Sequence, residues 1–143
     1  MKKEICFDMD GTIVDLFAVK DWLPKLENSD ASPYAEAKPL VNMSRLAKAL
    51  HKAQAKGYFL RIISWTADNG TKEYNAEVAD TKRNWLAKHL PSVKWDNITI
   101  VTYGTPKSTC GNGILFDDND EVRADWGKNA YHPKHIFEVL AAV

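Results

Sequence analysis

The sequence lacks most features that mark a secreted, membrane-bound or polyanion-binding chain. It has two cysteines, Cys6 inside an apolar run and Cys110 in a glycine-containing loop, too few for a disulfide framework and without zinc-site spacing. Neither sign of charge is in excess: 19 basic residues face 19 acidic ones, so no average field draws the chain to a nucleic-acid backbone or an anionic membrane, and only a local patch could. No apolar run approaches the ~20 residues of a membrane span. The opening Met-Lys-Lys-Glu runs into a short apolar stretch that meets Asp8, too short and too acidic for a signal peptide. A reducing cytoplasmic location is the expectation. His51, His89, His132 and His135 form no metal pattern, and His132-Pro133-Lys134-His135 reads as a helix start. There is no internal repeat or low-complexity tract.

The composition, 45% hydrophobic and 27% charged over 143 residues, suits one soluble domain burying roughly two thirds of its unfolded surface. Short apolar runs at Ile5–Phe7, Tyr58–Ile63, Ile98–Val101 and Ile114–Phe116, with a weaker one near Ala130-Tyr131, read as strands. Between them, Met43, Leu46, Leu50 and Ala53 share a helical face opposite Lys48, Lys52 and Lys56, with Gly57 as C-terminal cap. A second helix is predicted from about Thr71 to Leu90, stopped by Pro91, with Val78, Trp85 and Leu86 inward. A third covers Asp120–Trp126, and a last follows Pro133 with Ile136, Phe137 and Leu140 inward. Strands alternating with such helices predict an α/β three-layer sandwich with a mostly parallel sheet. The exception is an insertion from Asp15 to Leu40, expected as a helical Leu16–Leu26 limited or kinked by Pro24 and an irregular Asn28–Pro39.

Ligand sites in open α/β sheets lie beyond the carboxyl ends of the strands. Those ends carry Asp8 and Asp10, Ser64, the Tyr103–Ser108 loop with Lys107, and Asp117 with Asp118. Carboxylates crowded at ~4 Å repel by about 4 kcal/mol per pair at an effective dielectric near 20, so the cluster calls for a cation. Oxygen ligands favour Mg²⁺, and an added hydroxyl and ammonium make a phosphate site. Plainer readings exist for each part taken singly. Asp-Gly is an ordinary turn dipeptide, Ser64 alone would satisfy nearby backbone, a loop lysine is usually solvated, and Asp117–Asp120 could simply be an acidic helix start. Trp85 and Trp95 read as packing residues, whereas Trp65, next to Ser64, divides evenly between core and substrate contact.

Asp8-Met9-Asp10-Gly11-Thr12 after a strand resembles the nucleophile motif of the haloacid dehalogenase (HAD) superfamily. Ser64 after Arg61-Ile62-Ile63, Lys107, and Ile114-Leu115-Phe116-Asp117-Asp118 resemble its second, third and fourth motifs in family order. The resemblance spans residue 5 to about 120. It implies a HAD-like Rossmannoid fold with a minimal cap, residues 15–40, and a phosphatase working through an aspartyl-phosphate. Asp8 would be the nucleophile, Asp10 the general acid and then base, Ser64 a hydrogen-bond donor to phosphoryl oxygen, and Lys107 the neutralising cation. Mg²⁺ would bind the Asp8 carboxylate, the Asp10 main-chain carbonyl and Asp118, with Asp117 in direct or supporting contact. In dehalogenating members the position of Asp10 is generally not an acid, so its presence favours phosphate. The expected substrate is a small phosphorylated molecule, by loose likeness to small nucleotidases a nucleotide 5′-monophosphate, with Trp65, Phe17, Trp22 and Tyr34 as flat surfaces. Alternatives are a nucleic-acid-end or phosphoprotein phosphatase, and a non-catalytic phosphate- or Mg²⁺-binding regulatory module. The presence of both Asp8 and Asp10 argues against the last.

Overall fold

Apolar runs too short for helices became strands, and the amphipathic stretches between them became the helices that cover those strands. The computed structural model describes residues 3–143. Along the chain come β1 (Glu4–Phe7), β2 (Val14–Asp15), a 3₁₀ turn (Leu16–Ala18), α1 (Trp22–Glu27), α2 (Ser32–Glu36), β3 (Lys38–Pro39), α3 (Met43–Ala55) and β4 (Phe59–Trp65). There follow α4 (Lys72–His89), β5 (Asn97–Val101), a 3₁₀ turn (Lys107–Thr109), β6 (Ile114–Phe116), α5 (Asp120–Trp126), β7 (Ala130–Tyr131), a 3₁₀ turn (Pro133–His135) and α6 (Ile136–Ala142). Among the described residues the main sheet has five strands in the order β5-β4-β1-β6-β7, every pair parallel. β1 is central, with Phe7 in register with Ile62 on one side and Phe116 on the other.

The pleat sorts side chains between two apolar layers. Ile5, Phe7, Leu60, Ile62 and Phe116 meet Leu46 and Leu50 of α3, Trp85 and Leu86 of α4, and Ile136 and Leu140 of α6. Cys6, Ile63 and Leu115 face the other way, onto Val122 and Trp126 of α5. The expected α/β sandwich is therefore present, with helices on both faces of a parallel sheet.

Both ends of β4 differ from the sequence expectation. β4 starts at Phe59, because the Tyr58 N–H is taken by the Ala53 carbonyl at the end of α3. It continues to Trp65 because β5 offers a partner that far, pairing Ser64 with Ile100 and Trp65 with Val101 regardless of side-chain polarity.

The insertion departs more. Leu16–Leu26 is not one kinked helix: a 3₁₀ turn is separated from α1 by Asp21 in the left-handed region (φ 58°). Pro24 sits in the first turn of α1, where a missing N–H is harmless. Nor is Asn28–Pro39 irregular, since it contains α2 and then β3, which pairs antiparallel with β2 through Val14–Pro39 and Asp15–Lys38. The insertion leaves and re-enters the domain on this two-stranded ribbon. It docks on α4 through a cluster of Leu16, Ala31, Tyr34, Ala67, Tyr74 and Val78, with Tyr74 Oη donating to the Asp30 carbonyl at 2.8 Å and Trp85 Nε1 to Ala37 at 2.8 Å.

Candidate functional site

Asp8 is the first residue past β1, yet its position is rigid. Its N–H donates to the Phe116 carbonyl of β6 at 2.9 Å, and the Met9 carbonyl accepts from Thr12, Ile13 and Val14, each at 3.0 Å, winding the chain into a tight loop. Gly11 holds φ +82° there, and a Cβ on it would collide with the Asp118 carboxylate. Glycine is therefore required twice over, for its backbone angle and for the close approach of Asp118, two residues past β6. Thr12 turns back so that its Oγ1 donates to Asp8 Oδ2 at 2.9 Å.

Lys107 ties the strand ends together. Its buried ammonium lies 2.8 Å from Asp8 Oδ1 and 2.7 Å from Asp117 Oδ2. Burial works against that charge, but the carboxylates of Asp8 and Asp117 outweigh it and hold the lysine above its ordinary pKa. Asp117 uses its other oxygen to accept from the Asn119 N–H at 2.9 Å, so its carboxylate is committed to Lys107 and to the start of α5. Burial first, then the charge of Asp8, push Asp117 up to about 6, and the same causes push Asp118 up to about 7. Carboxylate oxygens of Asp8, Asp117 and Asp118 all lie within 4.8 Å of one another. This oxygen-only set, carrying more negative charge than Lys107 cancels, fits a hard divalent cation. Of the three, Asp117 has both oxygens already engaged, one by Lys107 and the other by the Asn119 N–H.

Asp10 is linked to a residue outside the sequence-derived set. Its Oδ2 lies 2.8 Å from Nζ of Lys82, which is buried at 2% exposure on α4. Burial raises the Asp10 pKa and Lys82 opposes the rise, which favours a carboxyl able to hold a proton.

These groups open into a cavity of about 670 Å³. Its floor is Asp8, Asp10, Lys107, Asp117 and Asp118; one wall comes from Trp65–Gly70 and Tyr103, and the other from the insertion, with Leu16, Phe17, Trp22, Leu23, Leu26 and Tyr34. Trp65 is a cavity residue, its Nε1 donating to the Thr105 carbonyl at 2.8 Å while its ring lies 4.9 Å from that of Tyr103 and 5.0 Å from the Lys107 ammonium. Opposite in the chain, Phe17 and Trp22 meet edge to face at 4.9 Å.

Ser64 requires a correction. It is fully buried and does not line the cavity, and its Oγ accepts from Lys82 Nζ at 2.7 Å. The pleat explains this, since Ser64 shares the parity of Leu60 and Ile62 and points at α4. Thr66, one residue past the strand, lines the cavity, and its buried Oγ1 has no hydrogen-bond partner among the described residues. Thr66 and Lys82 were both missed. The signal for Lys82 was its spacing: it is four residues from Val78 and from Leu86 on the buried stripe of α4, an unusual place for a lysine.

No protein-family model matches this chain, and no curated protein is detectably similar to it in sequence. Among solved structures it is similar to D,D-heptose 1,7-bisphosphate phosphatase from Burkholderia thailandensis, at 14% identity over 82% of this chain and 67% of the other, with a TM-score of 0.49.

Proposed function

We propose that this protein is a Mg²⁺-dependent phosphohydrolase of the HAD type that works through an aspartyl-phosphate on Asp8, with a nucleotide 5′-monophosphate as substrate. The observation that carries the reading is the convergence of Asp8, Lys107, Asp117 and Asp118 at one strand-end cluster, with Asp10 facing the same cavity. An Asp8 oxygen attacks phosphorus and the bond to the leaving oxygen breaks, Asp10 giving that oxygen its proton. Water then attacks the acyl phosphate, Asp10 takes the water's proton, and inorganic phosphate leaves Asp8. Lys107 neutralises charge on Asp8 and the phosphoryl group, and Thr66, with its unpaired hydroxyl, is the donor suited to a phosphoryl oxygen. Asp8 and Asp118 would hold Mg²⁺, which would add charge neutralisation at the phosphoryl group.

Support for a nucleotide comes from the aromatic character of the walls. Trp65 and Tyr103 on one side, and Phe17 and Trp22 on the insertion, give flat surfaces at the mouth of a phosphate site, with Phe17 51% and Tyr103 50% exposed. Residues 15–40 then serve as a minimal cap. The test is phosphate release with Mg²⁺, first from 4-nitrophenyl phosphate and then from a panel of nucleoside monophosphates and sugar phosphates. Activity that prefers nucleotides is expected. Absence of turnover on every substrate would overturn the enzyme reading, and preference for sugar phosphates would overturn the nucleotide.

A further inference from the structure

An ammonium has three N–H donors, and each one on Lys82 has an acceptor: Asp10 Oδ2 at 2.8 Å, Ser64 Oγ at 2.7 Å and the Trp65 carbonyl at 2.7 Å. The side chain is 2% exposed, so water plays no part in holding it. Around it are groups from three elements. β4 provides Ser64 and the Trp65 carbonyl, the loop after β1 provides Asp10, and the ring of Tyr34 from α2 lies 5.0 Å from Nζ. A lysine buried in the apolar stripe of a helix costs stability unless its charge is fully compensated. The three elements that compensate it here are those whose relative placement sets where Asp10 points.

We propose that Lys82 is a positioning residue for Asp10. It grips one carboxylate oxygen so that the other is presented to the leaving group, and Ser64 and the Trp65 carbonyl fix the ammonium in turn. This assignment rests on the phosphohydrolase reading for its kinetic consequence, though not for the contact itself. Ser64 accordingly acts on the substrate only through Lys82. Because Tyr34 belongs to the cluster that docks the insertion, the ammonium that holds the acid also touches the docked insertion.

The test uses Lys82→Met, which keeps the length of the side chain and removes the charge. The quantity to follow is kcat/KM, which reads only steps up to expulsion of the leaving group, across phosphate esters of increasingly poor leaving groups. 4-Nitrophenyl phosphate needs little protonation, so its kcat/KM should fall less than about ten-fold, whereas an alkyl or nucleoside ester, which depends on the acid, should fall by roughly 10²-fold or more. Equal falls on all esters, or none, would overturn the proposal and make Lys82 a structural residue. A second measurement stands apart from activity and from the folding of that variant. Ammonium-selective ¹H–¹⁵N NMR of the wild-type protein should show a slowly exchanging lysine signal that moves in Asp10→Asn and stays in place in Asp8→Asn. If the signal ignores Asp10→Asn, the contact is absent and the proposal fails. If it responds while no ester is hydrolysed, the grip on Asp10 stands and the phosphohydrolase reading is what fails.

Discussion

Lys107 is buried between two carboxylates, so charge rather than water keeps its ammonium in place. Removing one partner of a buried ion pair costs about 3–5 kcal/mol, because the other is left uncompensated. Lys107→Met, which leaves Asp8 and Asp117 facing each other, should therefore lower Tm by roughly 10 °C in metal-free buffer; scanning calorimetry checks this, and an unchanged Tm would mean the triad is not closed. Thr66 is the opposite case. Its hydroxyl is buried without a partner, so Thr66→Val should leave Tm unchanged or slightly raised while kcat/KM falls roughly 10²-fold, as expected for loss of a donor to developing phosphoryl charge. A fall in Tm without a kinetic effect would make Thr66 structural. Asp8→Asn keeps the shape of the nucleophile and removes its reactivity; phosphate release should vanish while circular dichroism shows the fold intact, and Tm should fall less than in Lys107→Met because Asp117 still pairs with the ammonium.

The elements divide the work between stability and specificity. α3 turns Leu46 and Leu50 into the core beneath the sheet, both fully buried, and Leu50→Ala should cost about 2–5 kcal/mol without altering the substrate profile. Under the proposed function, the substrate profile would be set at the end of β4 and in the insertion, which line the cavity. Stacking of a base on an aromatic ring contributes about 1–3 kcal/mol, or roughly five- to a hundred-and-fifty-fold in affinity. Trp65→Ala should raise KM for a nucleoside monophosphate while changing hydrolysis of 4-nitrophenyl phosphate much less, which steady-state kinetics on the two substrates resolves. An equal loss on both would show that the ring's contacts with Thr105 and Tyr103 matter as packing only.

At the scale of the whole molecule, the site concentrates buried carboxylates that the fold tolerates poorly without a counter-ion. Asp117 and Asp118 ionise at about 6 and 7 in the folded chain, above their ordinary 3.8, because burial and the charge of Asp8 disfavour the ionised forms. Their folded values are raised, so the stability these two groups contribute to the metal-free protein is fully present below the unfolded value and is lost as pH climbs from about 4 to about 7. Mg²⁺ bound at this cluster, as proposed, would compete with those protons. Its stabilising shift in Tm should thus be larger at pH 8 than at pH 5, and Asp118→Ala should raise the Mg²⁺ concentration needed for activity. A Mg²⁺-induced shift independent of pH would remove these acids from the metal site.

Much of this architecture was determined by the sequence alone, because it rests on local patterning. Short continuous apolar runs and the stripe Leu46-Leu50-Ala53 define strands and helices wherever they fold, and alternation of the two leaves few topologies besides a parallel sheet. The same logic placed Asp8, Asp10, Lys107, Asp117 and Asp118 at strand ends, since a parallel sheet brings all its carboxyl ends to one edge. Three things were decided only by tertiary structure. Pairing with β5 extended β4 by two residues and so exchanged Ser64 for Thr66 at the cavity, because a hydrogen-bonding neighbour continues a strand whatever its side chains are. The insertion's short elements, marginal in isolation, took their form from β2 pairing with β3 and from docking on α4. Lys82 could enter the core only because Asp10, Ser64 and the Trp65 carbonyl, from two other segments, converge on its ammonium; no local pattern carries the information that three distant acceptors will meet.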